Sequence, residues 1–132
     1  MGIYNYTFIS PEIPAIPLIK VQLFTPGLTP TTKLDCEAIL DTGSDCTLIP
    51  LPLLVQVNAQ ISGRAINIPV GGSKTIGIPH YVGMIFDNNS HPVLRVFGCP
   101  IDDIGEIILI GRDLMNQYRI EFDGVNLTFT IF

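Results

Sequence analysis

Hydrophobic and polar positions in this chain recur with a period of two, in short runs punctuated by proline and glycine, and the pattern predicts strands. Leu18-Ile19-Lys20-Val21-Gln22-Leu23-Phe24 alternates as a half-buried strand does. Leu34 to Leu40 follows the same rule and runs straight into a polar turn, after which Thr47-Leu48-Ile49 restores the apolar character. Arg64-Ala65-Ile66-Asn67-Ile68-Pro69 and the longer run from Lys74 to Phe86 flank Val70-Gly71-Gly72-Ser73. Two β-type runs around a Gly-Gly tip predict a hairpin, its return strand interrupted at Gly77 and Pro79. Val93 to Phe97, Glu106 to Ile110 and Val125 to Phe132 read as further strands, with turns at Asp87-Asn88-Asn89-Ser90 and Asp123-Gly124.

Residues 3–9 predict a short strand, and residues 10–17, with Pro11, Pro14 and Pro17, predict an extended arm, because proline neither completes a ladder nor sits inside a helix. Thr25 to Thr32 is a Pro/Gly/Thr loop. Pro50 and Pro52 suit the first turn of a short helix running to about Val57. Leu114 to Tyr118 predicts one or two helical turns. The division that results is an N-terminal strand and Pro-rich arm over residues 1–17, followed by a single domain over 18–132.

Composition agrees with an all-β chain. Its 132 residues suffice for one core, hydrophobic residues make up 47% against 14% charged, and eleven prolines and twelve glycines supply many turns. A net charge of −5 argues against nucleic acid and anionic membrane surfaces as partners. No apolar run is long enough to span a bilayer, and Met1-Gly2-Ile3-Tyr4-Asn5-Tyr6 lacks the basic start and apolar core of a secretion signal. Cys36, Cys46 and Cys99 fit neither a disulfide framework nor a zinc pattern, and His80 and His91 read as isolated surface or loop residues. The expectation is a reduced, cytoplasmic protein with no metal and no cofactor.

The chemistry concentrates at Ala38-Ile39-Leu40-Asp41-Thr42-Gly43-Ser44. A carboxylate at the end of an apolar strand, on a tight turn, is costly to place unless it is used. Together with Ile107-Ile108-Leu109-Ile110-Gly111-Arg112-Asp113-Leu114, this stretch resembles the paired signatures of the single-domain, retropepsin-like aspartic proteases. The resemblance covers roughly Leu18 to the C-terminus. It implies a closed acid-protease barrel of six or more strands, one short helix after Gly111-Arg112-Asp113, and a flap.

Peptide hydrolysis of this kind requires two carboxylates that share a proton, one drawing a proton from water and the other donating to the scissile carbonyl. The chain carries one Asp-Thr-Gly. Asp35, Asp87, Asp102, Asp103, Asp113 and Asp123 lack such a turn, and the length does not allow a second lobe. The second carboxylate must therefore be Asp41 of another copy, which predicts a homodimer about a two-fold axis, as the resemblance also implies.

The resemblance assigns supporting roles. Thr42 would hydrogen-bond across the axis, Gly43 would admit a substrate backbone, and Asp45 would pair with Arg112 to brace the catalytic strand. Ser44 is expected to donate to the outer oxygen of Asp41, which would favour the ionised form and an acidic activity optimum. Val70, Gly71 and Gly72 are the candidate flap tip, closing over an extended peptide that adds as a strand. Leu127 to Phe132, an exposed edge in an isolated chain, suits either a dimer sheet joined by Ile3 to Ile9 or an ordinary internal strand. The reading is thus a homodimeric aspartic endopeptidase. Its rivals are a non-catalytic dimerisation or peptide-binding module on the same fold, and a β-barrel binding protein in which Asp41 merely caps a turn.

Overall fold

Alternating side chains make one face of each strand apolar, and here those faces close on themselves. The computed structural model describes residues 1–27 and 32–132, so residues 28–31, half of the expected Thr25–Thr32 loop, lie outside the described residues. Strands β2 (Leu18–Phe24), β3 (Leu34–Leu40), β4 (Leu48–Pro50), β7 (Ser73–Phe86), β8 (Asn89–Cys99) and β9 (Ile108–Ile110) run in the order β2-β3-β9-β4-β8-β7. Pairing of β2 with β7 completes a six-stranded barrel. Strands β3 and β9 run parallel, as do β4 and β8. Inward positions such as Val21, Leu23, Ala38, Leu40, Val82, Met84, Val96, Ile108 and Ile110 fill the interior and are nearly inaccessible to water.

Two further strands, β5 (Gln60–Ile61) and β6 (Ile66–Val70), pair with β7. The hairpin return strand is unbroken through Gly77 and Pro79. Proline is accommodated because Pro79 and Phe97 face each other as a non-hydrogen-bonded pair: the Phe97 amide turns away to Thr47 O, and the Pro79 carbonyl turns to the other side, where it accepts from Ser62 N.

The chain ends form a separate sheet. Strands β1 (Gly2–Asn5), β11 (Thr128–Ile131) and β10 (Ile120–Asp123) lie in the order β1-β11-β10. β1 is shorter than residues 3–9 because the chain leaves the sheet at Tyr6 and folds back on itself, with Thr7 bridging Ile16. β11 starts at Thr128 rather than Val125 because residues 123–127 form the turn, where Asp123 accepts from Asn126 and Leu127 adopts φ 54°. The terminal strand is therefore internal, paired on both edges within its own chain. Phe129 and Ile131 on its inner face are fully buried in the barrel core, and Tyr4 stacks on Phe129 with ring centroids 5.1 Å apart.

There are three short helices among the described residues: α1 (Leu51–Gln56), as Pro50 and Pro52 suggest, α2 (Ile101–Ile104), and α3 (Arg112–Met115), at the Gly111-Arg112-Asp113 motif. The sequence reading passed over α2, although Pro100 precedes it, Asp102 and Asp103 stand in its first turn, and Gly105 at φ 79° ends it. Among the described residues no helix is long and apolar enough to cross a membrane.

The histidines are not surface or loop residues. His80 lies buried in β7 with Nδ1 2.7 Å from Ile78 O, and His91 in β8 is half-buried against the Tyr118 hydroxyl. Burial lowers the pKa of His91 from its ordinary 6.5. The unfolded chain then takes up this proton first. The stability linked to His91 is complete above pH 6.5 and is lost as pH falls through the lower folded value. Urea unfolding of wild type should show a midpoint that drops on acidification below pH 6.5 more steeply than in His91→Gln. Equal pH slopes would remove His91 from the linkage.

Candidate active site

Asp41 is set by the backbone before its side chain does anything. The Leu40 amide donates to Pro17 O at 3.0 Å, and the Asp41 amide donates to Ile110 O at 2.9 Å. The end of β3 is thus clamped between the N-terminal arm and β9. The turn closes by Ser44 N donating to Asp41 O at 3.1 Å, while Gly43 N donates to Asp41 Oδ1 at 2.9 Å. Asp41 remains half-exposed. By the two-residue alternation it shares a face with Ile39, whose β9 partner is Leu109; Leu40 and Ile110 point into the core.

Ser44 does not do what the sequence suggested. Its hydroxyl donates to Cys46 O at 2.7 Å, so the donor to the Asp41 carboxylate is the Gly43 amide, and the argument for an acidic optimum from Ser44 falls. Arg112 gathers the rest of the loop. Its Nη1 donates to Thr42 O at 2.7 Å, its Nη2 forms an ion pair with Asp45, and its backbone amide donates to Ser44 O at 2.9 Å. The side chains of Arg112 and Asp45 are 44% and 87% exposed, so water screens the pair and its energetic worth is small. What the fork contributes is orientation: one guanidinium grips both sides of the Asp41 turn.

Beneath this exposed brace lies a second one that the sequence reading did not find. Thr47, fully buried, donates its amide to Asp113 Oδ2 at 2.9 Å and its hydroxyl to Asp113 Oδ1 at 2.8 Å. The same Oδ1 accepts from Leu114 N at 2.8 Å, and Thr47 Oγ1 accepts from Gly111 N at 3.2 Å. A Cβ at position 111 would overlap the backbone of Cys46, so only glycine lets the two loops approach this closely. The available signal was a threonine at the head of an apolar run, a position where a buried hydroxyl must find a partner.

The β6–β7 hairpin turns at Gly71 and Gly72. Gly71 has φ 59°, the left-handed first position of a two-residue hairpin turn, where glycine is unstrained. Behind this tip, Ile68 packs with Leu48, Phe97 and Cys99, and this cluster takes in Val70, Cys46 and Leu109. Leu109 ties the hairpin to the face that carries Ile39 and Asp41. The cysteines are chemically quiet: burial pushes the Cys36 and Cys99 thiols up to about 11 and raises that of Cys46. Among the described residues no group of three His, Cys, Asp or Glu side chains is placed to hold a metal ion.

The two braces should separate in stability measurements. Asp113→Ala strips three hydrogen bonds, two of them from the fully buried Thr47, and should cost about 2–3 kcal/mol in urea unfolding. Asp45→Asn, at the exposed brace, should cost no more than about 1 kcal/mol. Equal losses would mean that the buried network has no special weight.

No family model matches the sequence, and neither does any curated relative. Solved structures do match. EIAV protease complexed with the inhibitor HBY-793 is similar at a TM-score of 0.55, with 16% identity over 84% of this chain and 92% of that one. A retropepsin-like aspartic protease from Rickettsia conorii is similar at a TM-score of 0.59, with 13% identity over 99% of this chain and 89% of that one. With its closed six-stranded barrel and this likeness over most of its length, the chain has the retropepsin-like fold.

Proposed function

We propose that this protein is an aspartic endopeptidase, active as a homodimer, in which two Asp41 carboxylates activate a water molecule against a peptide bond. The observation that carries the reading is the setting of Asp41. Its backbone is locked to β9, its carboxylate is accessible with a single backbone donor among the described residues, and it faces the side of the sheet covered by a glycine-tipped hairpin. The fold it shares with two proteases supports the same chemistry.

The neighbouring acids are already engaged. Asp45 is held by Arg112, and Asp113 by Thr47 and Leu114, so neither serves as the second carboxylate. The partner must be Asp41 of a second copy, and the exposed Thr42 lies beside it to bridge the axis. Two such acids about 3 Å apart do not both ionise readily, so the pair holds one proton between them. The ionised member takes a proton from water as the oxygen attacks the carbonyl carbon. The protonated member donates to the carbonyl oxygen, and the resulting diol collapses with proton transfer to the leaving amine. Water is the nucleophile and no covalent intermediate forms.

The hairpin acts as the flap. Val70, Gly71 and Gly72 would lie over an extended segment of about six to eight residues, whose backbone pairs as an added strand. The cluster of Leu48, Ile68, Phe97 and Leu109 supports apolar side chains next to the scissile bond.

Asp41→Asn should lower cleavage of a diverse peptide library at least about a thousandfold while leaving the fold and the sedimentation coefficient unchanged. Undiminished proteolysis in this variant would overturn the proposal. Folded, dimeric wild type that cleaves nothing between pH 3 and 8 would favour a peptide-binding module instead.

A further inference from the structure

The most deeply buried contact of the β6–β7 hairpin with the body of the protein is one cross-strand pair, with the half-buried Val70 packing beside it. Ile68 and Thr75 face each other across the ladder and are only 7% and 3% exposed. Ile68 reaches Phe97 and Leu48 by lying across Gly77, where a Cβ would overlap its side chain. Thr75 is tied by a polar contact: its hydroxyl donates to Asp103 Oδ2 at 2.7 Å. Beyond this pair, Gly71, Gly72, Ser73 and Lys74 are exposed, and a Cβ added at either glycine would touch nothing. The pair is thus the last polar anchor before the tip.

Asp103 stands in α2, on the segment that joins β8 to β9. That segment leads into Ile110, whose carbonyl receives the Asp41 amide. Ile104 on the same turn packs into the cluster under the hairpin. The hydrogen bond therefore connects the hairpin to the segment that leads into β9 and the Asp41 turn.

We infer that Thr75 and Asp103 form a latch that holds the hairpin down in the empty site, and that an entering peptide must open it. The inference rests on the reading of this hairpin as a flap. A buried hydroxyl needs a partner, and Asp103 supplies one only while the hairpin is down; a raised hairpin exchanges it for water. One hydrogen bond to a charged group biases such an equilibrium by about tenfold or more, enough to set the resting state and small enough for peptide binding to reverse. Thr75 and Asp103 are positioning residues, acting through the height of the tip.

The test uses the full chain carrying Thr75→Val, which keeps the shape and removes the donor, and Asp103→Asn, with Asp102→Asn on the same helix as control. Amide exchange across residues 66–77 and tryptic cleavage after Lys74 should quicken about tenfold in Thr75→Val. They should quicken less in Asp103→Asn, which keeps an acceptor oxygen, and stay unchanged in Asp102→Asn. Exchange in β3 and β9 should not move. With a peptide substrate, Thr75→Val should lower KM and change kcat less, because less binding free energy goes into opening. Unchanged exchange in both variants would overturn the latch. So would faster exchange throughout the chain, which marks a structural prop, or a raised KM, which marks a contact serving the bound state. The exchange readout needs no catalysis, so a wild type without peptidase activity would remove the protease proposal and leave the latch to stand on its own data.

Discussion

The parallel pairing of β3 with β9 is the contact on which the rest of the site depends. It joins Ala38, Ile39 and Leu40 to Ile108, Leu109 and Ile110, and its continuation is the Asp41 amide on Ile110 O. Parallel strands require a long crossover and the burial of both faces. Here one face looks into the barrel through Leu40 and Ile110, and the other carries Ile39 and Leu109 toward the hairpin. The acid at the end of that pair inherits both properties, a fixed backbone and an open face.

Three acids in this region have been given different work by their surroundings. Asp113 is satisfied by three donors and welds the loop after the turn to α3. Asp45 is committed to an exposed arginine, which reaches back to Thr42. Asp41 keeps a single donor from its own turn and stays accessible. A carboxylate left with spare acceptor capacity at the end of a buried strand is the one that the proposed mechanism assigns to water. The exposed brace orients, because solvent screens it, and the second stabilises, because the donors it satisfies belong to the fully buried Thr47.

Much of this was legible in residue order. The alternation of Leu18 to Phe24 and of Leu34 to Leu40 defined β2 and β3, and Val70-Gly71-Gly72-Ser73 defined the hairpin turn. Strand ends were less legible: β7 runs through Pro79 because the register with β8 sets it opposite Phe97 at a non-hydrogen-bonded position, where no ladder bond to β8 is lost. Ser44 was assigned to Asp41 by proximity in sequence, yet its rotamer and the bend of the loop turn it to Cys46. The two histidines looked solitary, and only the pairing of β7 with β8 places one in the interior and the other against Tyr118.

What the sequence alone determined is local: strand periodicity, turn chemistry, a carboxylate on an Asp-Thr-Gly turn, and the shortage of a second such turn. These follow from short-range sterics and from counting residues. The tertiary structure decided which donors each acid receives, that the terminal strand is covered on both edges by β1 and β10, and that Thr75 finds Asp103. Those outcomes depend on contacts between segments far apart in the chain, and a hydrogen bond is made or lost over less than an ångström. No local pattern carries that precision, so it appears only when the barrel closes.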